Sequence, residues 1–125
     1  MKRLLVNIAL FFVAVLLLST VGVYGLVYGL VYSLIHYSKV NFIRFCADTA
    51  YSINIGVDQI GNVLLAVFLN RTCLIDQTVY PFGQVDQTIS HVLAVNYFRF
   101  NLTSFGFWIV KTLEFFDKNH MNKSI

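Results

Sequence analysis

Between residues 4 and 35 the chain carries no charged side chain, and in the first half of that run only Asn7 is strongly polar. A stretch this long and apolar is expected to form a transmembrane helix. Wound as a helix it reaches roughly 48 Å, against a hydrocarbon layer of about 30 Å, so one perpendicular crossing does not use it up. Tilt takes up part of the excess. The simplest division places the span at residues 4–23 and lets the remainder pass through the interface. That remainder is a four-residue repeat, Val23-Tyr24-Gly25-Leu26, Val27-Tyr28-Gly29-Leu30, Val31-Tyr32-Ser33-Leu34. At helical pitch each residue type falls on its own stripe. Tyr24, Tyr28 and Tyr32 suit interfacial depth, with an apolar ring and a wet hydroxyl. Gly25, Gly29 and Ser33 form a small-residue stripe that lets two backbones approach closely, so this face is expected to meet a helix of a partner or of a second copy. The plainer reading is a lipid-facing helix whose glycines are spaced by chance.

Lys2 and Arg3 ahead of the apolar run look like the start of a secretory signal, and Thr20-Val21-Gly22 offers small residues for a cut. A normal signal core is only about 7–15 residues long, so residues 1–37 read better as an uncleaved signal-anchor. Lys2 and Arg3 outweigh Lys39 and Arg44, which Asp48 dilutes, and this balance favours a cytoplasmic amino terminus. The chain is 58% hydrophobic and only 12% charged, with a mean hydropathy of +0.70, and membrane residence accounts for that excess. Residues 38–125 then form one small membrane-proximal region with a thin core that leans on the bilayer or a partner. The net charge of +3 is scattered through Arg71, Arg99, Lys111, Lys118 and Lys123 without any basic patch, so nucleic acid is not an expected partner. Cys46 and Cys73 could pair if that region is extracytoplasmic, or stay as two buried thiols. Sequons occur at Asn70, Asn101 and Asn122 and matter only in a eukaryotic secretory setting.

Beyond the anchor the patterning is mainly α. Residues 38–51 mix apolar and charged side chains and could continue the helix along the membrane surface. From Ser52, Ile53, Val57, Ile60, Leu64, Val67 and Phe68 recur close to every 3.6 residues, which predicts a second helix ending near Asn70. Asp58 and Asn62 fall one turn apart on it, where polar groups cap or bond a neighbouring element. Tyr80-Pro81-Phe82-Gly83 reads as a turn. Asp86 or Thr88 can cap a short helix through Ile89, Val92 and Leu93. Residues 97–105 read as irregular. Thr103 or Ser104 caps a last, aromatic amphipathic helix carrying Phe107, Trp108, Val110, Leu113 and Phe116. That helix packs on the second one or lies at headgroup level with Trp108 as anchor. The tail is polar.

Catalytic candidates are few. Asp58, Asp86, His91 and His120, with Asn62, Ser90 and Asn119 near them in sequence, could make an acid-base or metal site if the fold gathered them. The chain lacks a His-Glu-x-x-His pair, a cysteine knuckle, a phosphate loop and a nucleophile elbow. Caps and buried hydrogen bonds explain the same residues, so no catalytic, metal or cofactor role is assigned.

Three short elements, Asp58-Gln59-Ile60-Gly61-Asn62, Asp86-Gln87-Thr88-Ile89-Ser90 and Phe115-Phe116-Asp117-Lys118-Asn119-His120, resemble a pattern in small proteins encoded by tailed and related bacteriophages. Gln87 stands where that pattern has an acid and His91 where it has a small residue, so no charged site is carried over. The resemblance implies a phage origin and no particular reaction. The expected function is therefore a non-enzymatic structural or interaction subunit of a phage-encoded membrane assembly, in a virion internal membrane or the bacterial inner membrane. Its expected partners are the lipid bilayer and other membrane or capsid proteins of that assembly, or a second copy. The alternative is a membrane-anchored lysis accessory or cell-wall-acting enzyme, which requires Asp58, Asp86 and His120 to converge. A holin-like pore fits less well, because Asp58 and Arg99 oppose further spans.

Overall fold

The computed structural model describes residues 2–125, and of Lys2 the backbone alone. The amino terminus and the Lys2 charge used in the orientation argument lie outside the described residues. The chain divides into two compact units, Met1–Ala50 and Tyr51–Ile125. Among the described residues there is no strand, only an isolated bridge between Leu74 and Leu102.

In the first unit the expected anchor is helical from Lys2 to His36. Helix α1 (Lys2–Leu17) passes through a π-helical turn (Leu18–Gly22) into α2 (Val23–His36). Residues Arg3–His36 form one helix long and apolar enough to cross a membrane, and none of its most apolar part is buried within the protein. The π turn falls where Ser19 and Thr20 both return their hydroxyls to the Leu16 carbonyl, at 3.0 and 2.7 Å. Hydroxyls that satisfy backbone in this way let a helix widen without leaving a bare carbonyl. The helix ends where Tyr37 turns extended (φ −100°, ψ 150°).

Helix α3 (Lys39–Leu64) starts at once, with Ser38 accepting from the Asn41 amide, and continues from the first unit into the second. The second helix thus begins at Lys39 and not at Ser52, and it stops at Leu64, short of Asn70. Helix α4 (Ala66–Cys73) leaves it at 79°. Two asparagines account for this elbow. Asn62 accepts from the Gly83 amide at 3.2 Å, while Asn70 both accepts from the Phe82 amide (2.8 Å) and donates to the Phe82 carbonyl (3.1 Å). In a straight helix residues eight apart are separated by roughly 12 Å along the axis, but Phe82 and Gly83 are adjacent. Bending at Leu65 brings both asparagines to one loop.

In the second unit α4, α5 (Ile89–Phe98), α6 (Ser104–Phe116) and α7 (His120–Lys123) enclose a core of Leu69, Cys73, Leu74, Phe82, Val92, Leu93, Ala94, Val110 and Met121. The expected caps form: Thr88 accepts from the His91 amide and Thr103 from the Gly106 amide. The stretch read as irregular is partly helical, since α5 runs on to Phe98 before Phe100 turns left-handed at φ 54°. The polar tail is not loose either. It forms α7, because Glu114 accepts from the Asn119 and Met121 amides, both at 2.9 Å, and Met121 is buried. Cys46 and Cys73 are both free thiols, one in each unit. Burial raises the Cys73 pKa above its ordinary value.

Candidate functional site

The small-residue stripe of the anchor is already partly occupied from within its own unit. Ser33 is buried, donating to the Gly29 carbonyl at 2.6 Å. A β-carbon placed on Gly29 would lie 3.3 Å from the Phe45 ring of α3, and the same ring makes an edge contact with Tyr37. The start of α3 therefore folds back on the end of α2. Gly25 has nothing within 4 Å of such a β-carbon and remains open to another molecule. Gly29→Leu is expected to push Phe45 away and speed tryptic cleavage at Lys39 and Arg44 in micelles, whereas Gly25→Leu leaves that rate unchanged. Equal rates in the two variants would remove the Phe45 contact from this account.

On the stripe one position away, Tyr24, Tyr28 and Tyr32 stack in series at 6.3 and 6.1 Å, and the His36 ring closes the series on Tyr32 at 4.2 Å. All three tyrosines are exposed. Trp108, the other expected interface residue, is exposed on α6.

In the second unit Asp58 and His120 border one open groove of about 470 Å³, together with Tyr51, Asn54 and Ser90. Asp86 lies outside it, exposed, with its backbone carbonyl accepting from the Gln59 side chain. Asn62 is fully buried under the loop, donating to the Gln84 and Gln87 carbonyls at 2.8 and 3.0 Å. Asp58 is a strut between helices: its two oxygens accept from the Ile89 and Ser90 amides at 3.0 and 3.3 Å. With Thr88 holding the His91 amide, the first three amides of α5 all have side-chain acceptors, and the carboxylate also complements the helix dipole.

The histidines serve the tail. Gln87 donates to the Tyr80 hydroxyl, Tyr80 donates to His91 Nε2 at 3.1 Å, and His91 Nδ1 donates to the Ser124 carbonyl at 2.7 Å. His120 Nδ1 donates to Asp117 at 3.0 Å, and Lys123 bonds the other oxygen of the same carboxylate. An aspartate orienting a histidine is one half of a general-base arrangement. Here Nε2 of His120 is enclosed and has no hydrogen-bond partner. Among the described residues no three His, Cys, Asp or Glu side chains are grouped to hold a metal ion.

Asparagines carry more of the unit than the sequence suggested. Asn101 accepts from the Asp76 amide and donates to the Asp76 carbonyl and to Asn96, each at 2.7–2.8 Å, and Asn96 in turn donates to the Tyr80 and Val92 carbonyls. Asn70 and Asn101, read as sequons, have their amides engaged inside the fold. Their threonines are engaged too, Thr72 on the Phe68 carbonyl and Thr103 on the Thr72 carbonyl.

Lys123 first, then His120, hold the Asp117 carboxyl below its ordinary pKa. A depressed folded-state pKa stabilises above the unfolded value and loses that contribution as pH falls through the folded one, so docking of α7 is expected to loosen below about pH 4. Hydrogen exchange of the Met121 and Lys123 amides checks this; protection unchanged from neutral pH down to that range contradicts it.

No protein-family model, curated protein or solved structure matches this chain. Fold and site together define a mainly helical protein in which one apolar helix, long enough to cross a membrane, precedes a small aromatic-rich helical unit.

Proposed function

We propose that the chain is a single-pass membrane protein serving as a structural or interaction subunit of a phage-encoded, membrane-associated assembly. It resides in a virion internal membrane or in the inner membrane of the infected bacterium, with its amino terminus in the cytoplasm. The observation that carries this reading is the Arg3–His36 helix, long and apolar enough to cross a membrane and with none of its most apolar part buried within the protein, which needs a lipid or protein environment. The phage setting rests on the three C-terminal elements and their resemblance to phage-encoded proteins. The second unit supports a non-enzymatic role, because Asp58, Asn62, His91 and His120 are engaged in holding helix ends, a loop and the tail.

Extraction of infected membranes or virions with mild detergent tests the proposal. The expected result is a particle larger than one chain that includes other proteins of the assembly or further copies. A monodisperse single chain, from virions and host membranes alike, overturns it.

A further inference from the structure

We propose that the elbow between α3 and α4, with the aromatic face of α6, is a second membrane contact that lies in the headgroup layer of a bilayer carrying anionic lipid. The inference rests on the anchor reading, since the anchor keeps this unit at a membrane.

The surface is apolar and exposed. At the elbow Leu64 is 74% exposed, Val67 69% and Phe68 54%, and on α6 Trp108 is 62% exposed. Rings join the two helices: Phe68 meets Phe105 edge-on at 6.4 Å, and Phe105 stacks on Trp108 at 6.1 Å. No charged residue occurs between Asp58 and Arg71, or in α6 before Lys111.

Both helices then repeat one arrangement. Arg71 follows Phe68 by three residues and Lys111 follows Trp108 by three, so each exposed ring has an exposed cation one turn away on the same face. A ring at headgroup depth beside a cation that reaches the phosphates is the pattern of an interfacial amphipathic surface. Beside the same rings, Thr72 donates to the Phe68 carbonyl at 2.8 Å and Thr112 to the Trp108 carbonyl at 3.0 Å. These two hydroxyls are thus satisfied by their own helices.

The rim cations select the occupant. Exposed apolar area edged by the exposed Arg71 and Lys111 complements the acyl boundary and the anionic headgroups of the outer bilayer. A straight crossing is excluded by shape. Helices α3 and α4 are together apolar enough for a span but are bent by 79°, and α4 ends with Leu69 and Cys73 in the core.

Trp108 is the chain's single tryptophan, so it reports the contact directly. The full chain is reconstituted into phosphatidylcholine vesicles containing phosphatidylglycerol, flotation is checked, and Trp108 is quenched by lipids brominated high on the acyl chain or by aqueous acrylamide. The expected result is strong bromolipid quenching and weak acrylamide quenching. Phe68→Glu and, separately, Val67→Glu should lower the lipid-contacting fraction by roughly tenfold, with helicity unchanged by circular dichroism, because each removes apolar area and sets a carboxylate against anionic headgroups. Both positions lie outside the buried core, and Val67→Glu leaves the contact between Phe68 and Phe105 intact. A chain that floats while acrylamide quenches Trp108 freely overturns the elbow contact and leaves the anchor standing. Shielding of Trp108 from both quenchers means a protein or second copy covers the patch, which also overturns it. Failure to float overturns the anchor and this inference together.

Discussion

Gly106→Ala is expected to destabilise the C-terminal unit by about 3 kcal/mol, a fall of roughly 10–20 °C in its melting temperature. An alanine β-carbon at this position would lie 2.6 Å from the Cys73 carbonyl oxygen and 3.2 Å from both Cys73 Cα and Cβ. Two effects compete, since alanine improves helix propensity by up to about 1 kcal/mol over glycine. The clash wins because the obstructing atoms are mostly backbone, fixed by the Thr103 amide bonding that same carbonyl at 2.8 Å. Gly56→Ala is the matched control, as its β-carbon meets nothing within 4 Å and only the propensity gain remains. Thermal melts followed by Trp108 fluorescence in detergent check the pair. Equal melting temperatures for the two variants would refute close packing of α6 on α4.

Asn62→Leu is expected to cost about 2–4 kcal/mol although it replaces a buried polar group with an apolar one of similar size. The leucine leaves the Gly83 amide and the Gln87 carbonyl without their partner, while the Gln84 carbonyl keeps the Gln87 amide at 3.2 Å, and each stranded group costs about 1–3 kcal/mol. Burial of the new methyls returns only about 1–2 kcal/mol. Asp86→Ala, at an exposed residue of the same loop, is expected to change stability by less than about 0.5 kcal/mol. Urea unfolding curves of the three proteins separate the cases. A near-native midpoint for Asn62→Leu would mean that the loop is held by something else.

What was legible in the sequence was local. The charge-free run, the threonine caps at Thr88 and Thr103, and the aromatic helix after Thr103 each rest on residues within a turn or two of one another. Asp58 and Asn62 were also legible as groups that bond a neighbour, because their spacing puts them on one face. Which neighbour was not legible, since Asp58 reaches α5 and Asn62 the loop ahead of it through bonds between residues more than twenty positions apart. The elbow at Leu65 follows from those distant bonds and has no signal in a hydrophobic period that runs through it without interruption. Asn70 and Asn101 were obscured by a second meaning, because Asn-x-Thr reads as a modification signal while the fold uses both residues as clamps. Phe45 covering Gly29 depends on a chain reversal at Tyr37 and Ser38, where neither proline nor glycine marks the turn.

The π turn at Leu18–Gly22 bears on how the anchor can be recognised. A turn of that kind adds about one residue to the winding, so side-chain positions beyond it are rotated by on the order of 100° from where an unbroken helix would set them. The helical register of residues before Leu18 therefore does not extend into the tyrosine series. A partner aligned with one half of the anchor meets a different azimuth in the other, so the two halves can engage two neighbours on separate sides of a single helix.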